Sequence, residues 1–479
     1  MVFSSSLFLF LFIPIFFSIY FLTIKKYRNI TALLGSMFFY FWGGSTFIFI
    51  LLVSLLIDWH VAKIIYKEKK KELKMFYFIS IIASDIFLLA YFKYSNFFIA
   101  NFNTVLSKLH FAHIQWTNVL LPIGISFIVF HKISYMIEVY KDTKKPTEKM
   151  RDYFLYIMLF PMAIAGPIIK YNDIADQLTN RDSKFEDILY GLFRFSIGMA
   201  KKVLLADNVA LMADRVFSTQ PEHIGLLFSW LGILCYALQI YFDFSGYADM
   251  AIGLSRIMGF KIAENFNMPY VSKNISQFWK RWHISLTNWM RSYIYIPLGG
   301  SRCSKTRNYF NLWVVFLISG FWHGANWTFM IWGIIHGVYI LIDKLFWIDF
   351  SKKLPKGVNI AITYFLVLIA WVFFRSESYT YALGYIQSMF NFHLLIGKDV
   401  ILSQDKPVFY ISNVIITAFI VSLFITFLPA FKFFETLKSK YLKVISSESF
   451  MMISTMLLLS ISITVCVSSS FSPFIYFRF

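Results

Sequence analysis

Leu317-Ile-Ser-Gly-Phe-Trp-His-Gly-Ala-Asn-Trp-Thr-Phe329 places a histidine, His323, inside an apolar run that extends from 309 to 342. An upright helix needs only about 20 apolar residues to cross a hydrocarbon core of roughly 30 Å. The run is longer than that, so it is tilted, broken or two segments. Other apolar runs lie near 5–23, 30–42, 45–62, 76–95, 118–139, 153–170, 187–212, 225–254, 357–374, 409–428 and 452–471. Together they specify an all-α, polytopic membrane protein with about 11–13 transmembrane or re-entrant helices.

Composition points the same way. Of 479 residues, 58% are hydrophobic, 20% aromatic and 15% charged, against about 25% charged in a soluble domain. That leaves too little polar surface to cover a soluble globule. The formal charge of +19 is not a nucleic-acid signature, because no soluble basic domain carries it. Instead the cations fall in short runs between apolar segments: Lys25-Lys26-Tyr27-Arg28, Lys67 to Lys74, and Lys141 to Arg151. Two crossings separate the first run from the second, and two more separate the second from the third. All three therefore share a side, which the positive-inside rule makes cytoplasmic, and membrane lipids with anionic headgroups are their expected neighbours.

No Gly/Ser linker, low-complexity tail or internal repeat interrupts the chain, which reads as one membrane domain over 1–479. The first segment lacks a basic n-region and a small-residue cleavage site before Lys25, and is read as a retained transmembrane helix. Cys235, Cys303 and Cys466 are far apart and form no C-x-x-C pattern, so neither a disulfide framework nor a metal site is assigned.

Residues 261–308 differ from their surroundings. Asn265, Asn267, Lys273, Asn274, Lys280, Arg281, His283, Asn288, Arg291, Arg302, Lys305 and Arg307 alternate there with Phe278, Trp279, Trp282, Trp289, Tyr293 and Tyr295. An ordinary spanning helix cannot have that composition. The segment is either an amphipathic surface helix or a re-entrant piece, which at membrane depth must be buried in protein or line a water-filled cavity.

Ionisable residues inside apolar runs are costly and mark sites by default. Asp243, Ser245 and Asp249 interrupt the run at 225–254. Carboxylates six residues apart on a helix face different ways, so these two do not act as a pair. Each serves a site, or takes a nearby Arg or Lys and holds two helices together. His336 follows His323 by 13 residues. On a continuous helix that spacing puts the rings about 220° and roughly 20 Å apart, so they share a centre only if the helix breaks, which Gly324 and Gly333 allow. Glycine beside His323 admits close approach of a substrate and favours His323 over His336 as a catalytic base. The alternative is a histidine that only packs. No G-x-S-x-G elbow, Walker A loop, G-x-G-x-x-G or H-E-x-x-H occurs. Transfer chemistry with a histidine base remains, or transport.

Several stretches taken jointly carry a resemblance. They are Asp243-Phe-Ser-Gly-Tyr-Ala-Asp-Met-Ala-Ile-Gly253, Gly259-Phe-Lys-Ile-Ala-Glu-Asn-Phe-Asn-Met-Pro-Tyr270, Phe278-Trp-Lys-Arg-Trp-His-Ile-Ser-Leu286, Trp289-Met-Arg-Ser-Tyr-Ile-Tyr-Ile-Pro-Leu-Gly-Gly300 and Trp322-His-Gly-Ala-Asn-Trp-Thr-Phe329, with Leu121-Pro-Ile-Gly-Ile-Ser-Phe127 and Ala165-Gly-Pro-Ile168 before them. The chain resembles the membrane-bound O-acyltransferase (MBOAT) family over nearly its whole length, in the branch of alginate O-acetylases and peptidoglycan O-acetyltransferases.

The resemblance implies a funnelled helical bundle in a bacterial cytoplasmic membrane. It implies His323 as the catalytic histidine and His283 as its companion, with His336, Trp282, Trp322, Asn326 and Asp243 in support. Lys280, Arg281, Arg302, Lys305 and Arg307 would form a basic collar for donor phosphates, or are simply topogenic charge. The implied donor is acetyl-CoA, with no bound cofactor. The implied acceptor is an envelope polysaccharide, reached directly or through an extracytoplasmic acetyltransferase partner. One departure is visible: Ser292 stands where related sequences carry Asp; a serine could replace that carboxylate as a helix cap, but not as a group that orients a catalytic residue, in which case activity would suffer. A transporter or flippase for lipid-linked glycans, or a scaffold subunit of an envelope complex, would need neither His323 nor His283.

Overall fold

The computed structural model describes residues 2–44, 46–395, 412–468 and 474–475. Every regular element among them is helical. In chain order these are α1 (Phe8–Leu22), α2 (Arg28–Gly44), α3 (Phe47–Lys67), α4 (Lys71–Lys108), α5 (Ile125–Tyr140), α6 (Met150–Met158), α7 (Tyr171–Thr179), α8 (Phe185–Ala200), α9 (Asp207–Phe217), α10 (Leu226–Ile257), α11 (Ile275–Trp279), α12 (Ile284–Met290), α13 (Lys305–His323), α14 (Trp327–Ile342), α15 (Lys356–Arg375), α16 (Tyr379–Met389), α17 (Asn413–Phe427), α18 (Lys432–Ile445) and α19 (Glu448–Ser468). Seven helical stretches among the described residues are long and apolar enough to cross a membrane: α3, α4, α10, α14 with its extension to Ser351, α15, α17 with its extension to Ala430, and α19. The protein is a multi-pass membrane protein. Residues 409–411 and 469–471 of the apolar runs lie outside the described residues.

The structure settles one run that the sequence left open and alters two others. The run at 309–342 is two helices, because α13 ends at His323 and Gly324 is extended at φ −163°. Asn326 then caps α14 by accepting a hydrogen bond from Thr328 N at 3.1 Å. The run at 76–95 continues to Lys108; Asn96 lowers hydropathy there but is used structurally, donating to Val119 O at 2.9 Å and accepting from Trp116 Nε1 at 3.0 Å. The run at 153–170 breaks at Leu159-Phe-Pro161, where proline cannot continue a helix. The freed backbone groups find side chains: Phe160 N donates to Ser36 Oγ at 3.1 Å, and Ile169 N donates to His131 Nε2 at 3.1 Å.

The chain divides into two compact units. The first comprises residues 1–191 and 251–263. Gly124, at φ +76°, opens α5 and lies against Ile164 Cα, 3.1 Å from where a Cβ would stand. The Leu121-Pro-Ile-Gly motif is thus packed beside Ala165-Gly-Pro-Ile. Deep in this unit the Lys132 ammonium reaches Asp58 at 3.2 Å and Asp85 at 2.5 Å, with Ser54 as a further partner, while Tyr153 OH donates to Asp58 at 2.8 Å. These contacts tie α3, α4, α5 and α6 together. The three basic runs meet at one end of the unit: Lys74 pairs with Asp142 at 2.8 Å, Lys63 Nζ donates to Glu148 O at 3.1 Å, and Asn29 Nδ2 donates to Asp152 at 2.8 Å. This meeting agrees with the single side assigned by the charge rule.

The second unit comprises residues 192–250 and 264–479. Its centre is aromatic, with Trp282, Trp332, Trp371, Tyr236 and Tyr385 all buried. Helices α13 and α14 form a hairpin that pivots on Gly320 and Gly333. A Cβ on Gly333 would stand 2.5 Å from Phe316 O, so only glycine allows this approach. The segment 264–304 folds into this core. Phe278, Trp279, Trp282 and His283 are each no more than 6% exposed, so the stretch around α11 and α12 is buried in protein, while Arg291, Ile296 and Arg302 beyond it are exposed.

Candidate active site

His283 sits between α11 and α12 in a left-handed conformation, φ +44°, which is uncommon outside glycine and asparagine. Two backbone links brace the turn: Ile284 N donates to Asn265 O at 2.9 Å, and Asn267 N donates to Arg281 O at 2.9 Å. Asn265 also fixes the ring. Its Oδ1 accepts from Ser285 N at 3.1 Å and from Ser285 Oγ at 2.8 Å, and lies 3.3 Å from His283 Nδ1. Because a backbone N–H must donate, that atom is the amide oxygen, and His283 Nδ1 carries the ring proton. Nε2 is then a bare lone pair, buried, and without a partner among the described residues. A neutral imidazole held this way accepts a hydrogen bond at Nε2.

His323 is the last residue of α13. Its ring is buried against Trp322, Trp332 and Phe374, with centroids at 4.9, 5.2 and 5.2 Å. The Trp322 ring contacts both histidines, with centroids 6.2 Å from His283 and 4.9 Å from His323. Residues from the turn at His283 and from the hairpin break therefore converge on one indole.

His336 lies on α14. With the hairpin pivoting at Gly320 and Gly333, His323 and His336 diverge from the pivot by three residues each, about 9 Å along the axes. The two rings share a neighbour, since Trp332 lies 5.2 Å from His323 and 4.9 Å from His336. His336 Nδ1 accepts from Trp279 Nε1 at 3.3 Å, which commits that nitrogen to an internal bond. The break that sequence reasoning required does occur, at Gly324 rather than at Gly333.

The other assigned residues separate by environment. Trp282 packs among Phe266, Phe278 and Trp371 at 5.1, 5.6 and 5.1 Å. Asn326 caps α14, and its Nδ2 donates to Glu377 O at 3.0 Å. Asp243 meets Lys202 at 2.6 Å and accepts from Ile475 N at 2.7 Å; Asp249 takes Arg194 and Lys201, each at 2.7 Å. Each carboxylate thus has its own cationic partner, as the six-residue spacing requires. Ser292 lies within the helical turn Arg291–Tyr295, not at a cap, so capping does not account for the exchange of Asp for Ser.

The five collar residues do not gather in one place. Lys280 lines a cavity of about 450 Å³ walled by Trp279 and Phe316, and the other cations on its lining are Arg291 and Lys344. Arg281 Nη1 donates to Met268 O at 3.4 Å. Arg302, Lys305 and Arg307 are exposed around the start of α13, where cations gain nothing from the helix dipole. Asn265, Arg291 and Lys344 were not assigned roles from sequence. For Asn265 a signal existed: Asn265 and Asn267 alternate with Phe266 and Met268, the period of an extended strand that faces two ways.

Fold and site define a polytopic membrane protein with a buried imidazole–indole cluster at a helix break. Residues 149–382 match the family model described as MBOAT, membrane-bound O-acyltransferase family. The chain is 40% identical to the probable alginate O-acetylase of Pseudomonas aeruginosa over 82% of this chain and 75% of that protein. It is 35% identical to the peptidoglycan O-acetyltransferase of Helicobacter pylori over 81% of this chain and 80% of that protein. Similarity extends to the teichoic acid D-alanyltransferase of Bacillus subtilis, at 29% identity over 55% of this chain and 70% of that protein. The chain belongs to the membrane-bound O-acyltransferase family and is an acyltransferase.

Proposed function

We propose that the protein moves an acetyl group from cytosolic acetyl-CoA to, or toward, hydroxyls of an exported cell-envelope polysaccharide, from the bacterial cytoplasmic membrane. The observation that carries this reading is the pair His323 and His283, both packed on Trp322. His323 is the general base. It takes the proton of the acceptor hydroxyl as that oxygen attacks the thioester carbonyl. The tetrahedral intermediate then collapses, the C–S bond breaks, and the proton on His323 passes to the departing thiolate. The attacking O–H has one proton and that goes to His323, so His283 Nε2, an acceptor, orients the acceptor through a second, neighbouring hydroxyl; with its proton on Nδ1 it is unsuited to donate to the acyl oxygen. The indoles of Trp322 and Trp332 exclude water and favour transfer over hydrolysis. Lys280, Arg291 and Lys344 supply cations for the donor's phosphates.

The acceptor class rests on the relatives, which are named for O-acetylation of alginate and of peptidoglycan. A separate extracytoplasmic acetyltransferase is the proposed partner for the final transfer. The test uses purified protein in proteoliposomes with labelled acetyl-CoA. His323→Ala should still bind donor while transfer falls about 10²–10⁴-fold; near-normal transfer would remove His323 as the base. Comparison of O-acetyl groups on envelope glycans from wild-type and deletion strains then identifies the acceptor.

A further inference from the structure

A groove and a cavity in the first unit lie along the α1–α2 pair. The groove, about 430 Å³, is lined on α1 by Leu11, Ile15 and Ile19 and on α2 by Leu34, Phe38 and Trp42. Each of these six side chains is more than half exposed, so the groove opens outward along helices of a membrane protein. It reaches Ile19 on one helix and Thr31 on the other. The cavity, about 260 Å³, takes up at the next residues, Tyr20 on α1 and Arg28 and Asn29 on α2. Arg28 precedes Gly35, a groove residue, by seven positions and so lies on the same helix face.

The cavity's cations come from three distant parts of the chain: Lys25, Lys26 and Arg28; Lys149 and Arg151; and Arg181. Two guanidinium groups are fixed in advance. Arg28 Nε donates to Thr23 O at 3.2 Å and lies over the Tyr20 ring at 5.4 Å. Arg181 Nε donates to Met258 O at 3.1 Å and stacks on Phe260 at 3.9 Å. Among the described residues neither is within ion-pair distance of a carboxylate. The one acid on the lining, Asp152, is taken by Asn29 at 2.8 Å and by Arg151 at 3.5 Å; Lys25 is paired with Asp182 beside the cavity at 2.6 Å, so the excess charge rests on Lys26, Arg28, Lys149 and Arg181. An apolar groove that leads into a cationic cavity matches an acyl chain joined to a phosphate.

We infer that the first unit binds one anionic phospholipid, its acyl chain in the α1–α2 groove and its phosphate among Arg28, Arg181 and the lysines. The excess of cations selects against a zwitterionic headgroup, whose ammonium would be repelled. Native mass spectrometry of the full chain in detergent tests this with dioleoylphosphatidylglycerol, dioleoylphosphatidylcholine and inorganic phosphate as probes. A basic residue near a membrane contributes about fivefold to binding of anionic lipid. Lys26→Gln/Lys149→Gln should therefore weaken retention of phosphatidylglycerol roughly 30-fold, and Leu34→Trp, which fills the groove, should weaken it without a change of charge. Phosphatidylcholine should bind weakly to every form. Lys69→Gln/Lys70→Gln, which removes two cations of the same face outside the cavity, should change little. Three results overturn the inference: equal losses from the two lysine pairs, which would mean diffuse surface charge; no loss with Leu34→Trp together with displacement by inorganic phosphate, which would make free phosphate the ligand; or unchanged retention in both the cavity and the groove variant.

Discussion

Replacement of Lys202 by methionine separates the two readings of Asp243. The Lys202 and Asp243 side chains are 2% and 3% exposed and meet at 2.6 Å. Lys202 also reaches Asp207 at 2.7 Å, and its ammonium lies 4.7 Å from the Phe474 ring. Lys202→Met would leave Asp243 buried with a backbone N–H, from Ile475, but no cation. Breaking a buried pair by removing one partner costs about 3–5 kcal/mol. Asp243→Asn keeps an acceptor for Ile475 N and leaves Lys202 with the more exposed Asp207, so its cost should be about 1–3 kcal/mol. The double variant removes both charges and should be less damaged than Lys202→Met alone. Thermal unfolding in one detergent and lipid mixture, followed by tryptophan fluorescence, should rank the midpoints wild type, Asp243→Asn, double variant, Lys202→Met, with the last two well separated. Acetyl transfer by the double variant should survive. Additive effects of the single changes would refute the buried pair. A double variant that is stable but inactive would give Asp243 a part in the reaction.

Two further changes address the site. Asn265→Ala removes the oxygen that holds His283 Nδ1 and Ser285; kcat should fall on the order of 10²-fold through misplacement, while the KM for donor stays near wild type, and an unchanged kcat would dismiss Asn265 as a positioning residue. Gly333→Ala puts a methyl group 2.5 Å from Phe316 O, so the hairpin must separate; overpacking of this kind costs about 1–3 kcal/mol, measurable as a lowered unfolding midpoint, and an unchanged midpoint would contradict the close approach.

The membrane spans were legible because hydropathy is a local property, and so was the shared side of Lys25–Arg28, Lys67–Lys74 and Lys141–Arg151, which needs only counting. His323 was singled out by its motif, and the structure adds that it ends α13 at the helix break. Other features depend on tertiary meetings that no window of sequence contains. Asp58, Asp85 and Lys132 lie in three different apolar runs, and only packing shows that one ammonium serves two carboxylates. Arg291 and Lys344 share a cavity with Lys280, though Lys344 lies far along the chain and beyond the collar drawn from sequence. The break after His323 did have a local sign, Asn326 followed two residues later by Thr328. Averaging over an apolar run conceals a capping residue, because the cap is a single polar side chain among many apolar ones.

The segment that carries His283 shows why the proposed reaction centre needs more than spanning helices. A helix satisfies its own backbone, which makes it the default in hydrocarbon, but it presents side chains only along its outer surface. His283 instead requires a turn at φ +44°, and such a turn exposes N–H and C=O groups that lipid cannot satisfy. The links from Asn267 N to Arg281 O and from Ile284 N to Asn265 O answer part of that demand, and Asn265 Oδ1 answers Ser285 N. The aromatic density of the segment follows from the same requirement. Phe266 and Phe278 pack on Trp282 at 5.1 and 5.6 Å and bury the turn in protein. Polar residues that looked out of place in a membrane sequence thus stabilise the irregular backbone, and the aromatic residues among them shield it. A site of this design depends on the whole segment as much as on its histidines, so changes at Asn265 or Trp282 should impair transfer without touching the group that takes the proton.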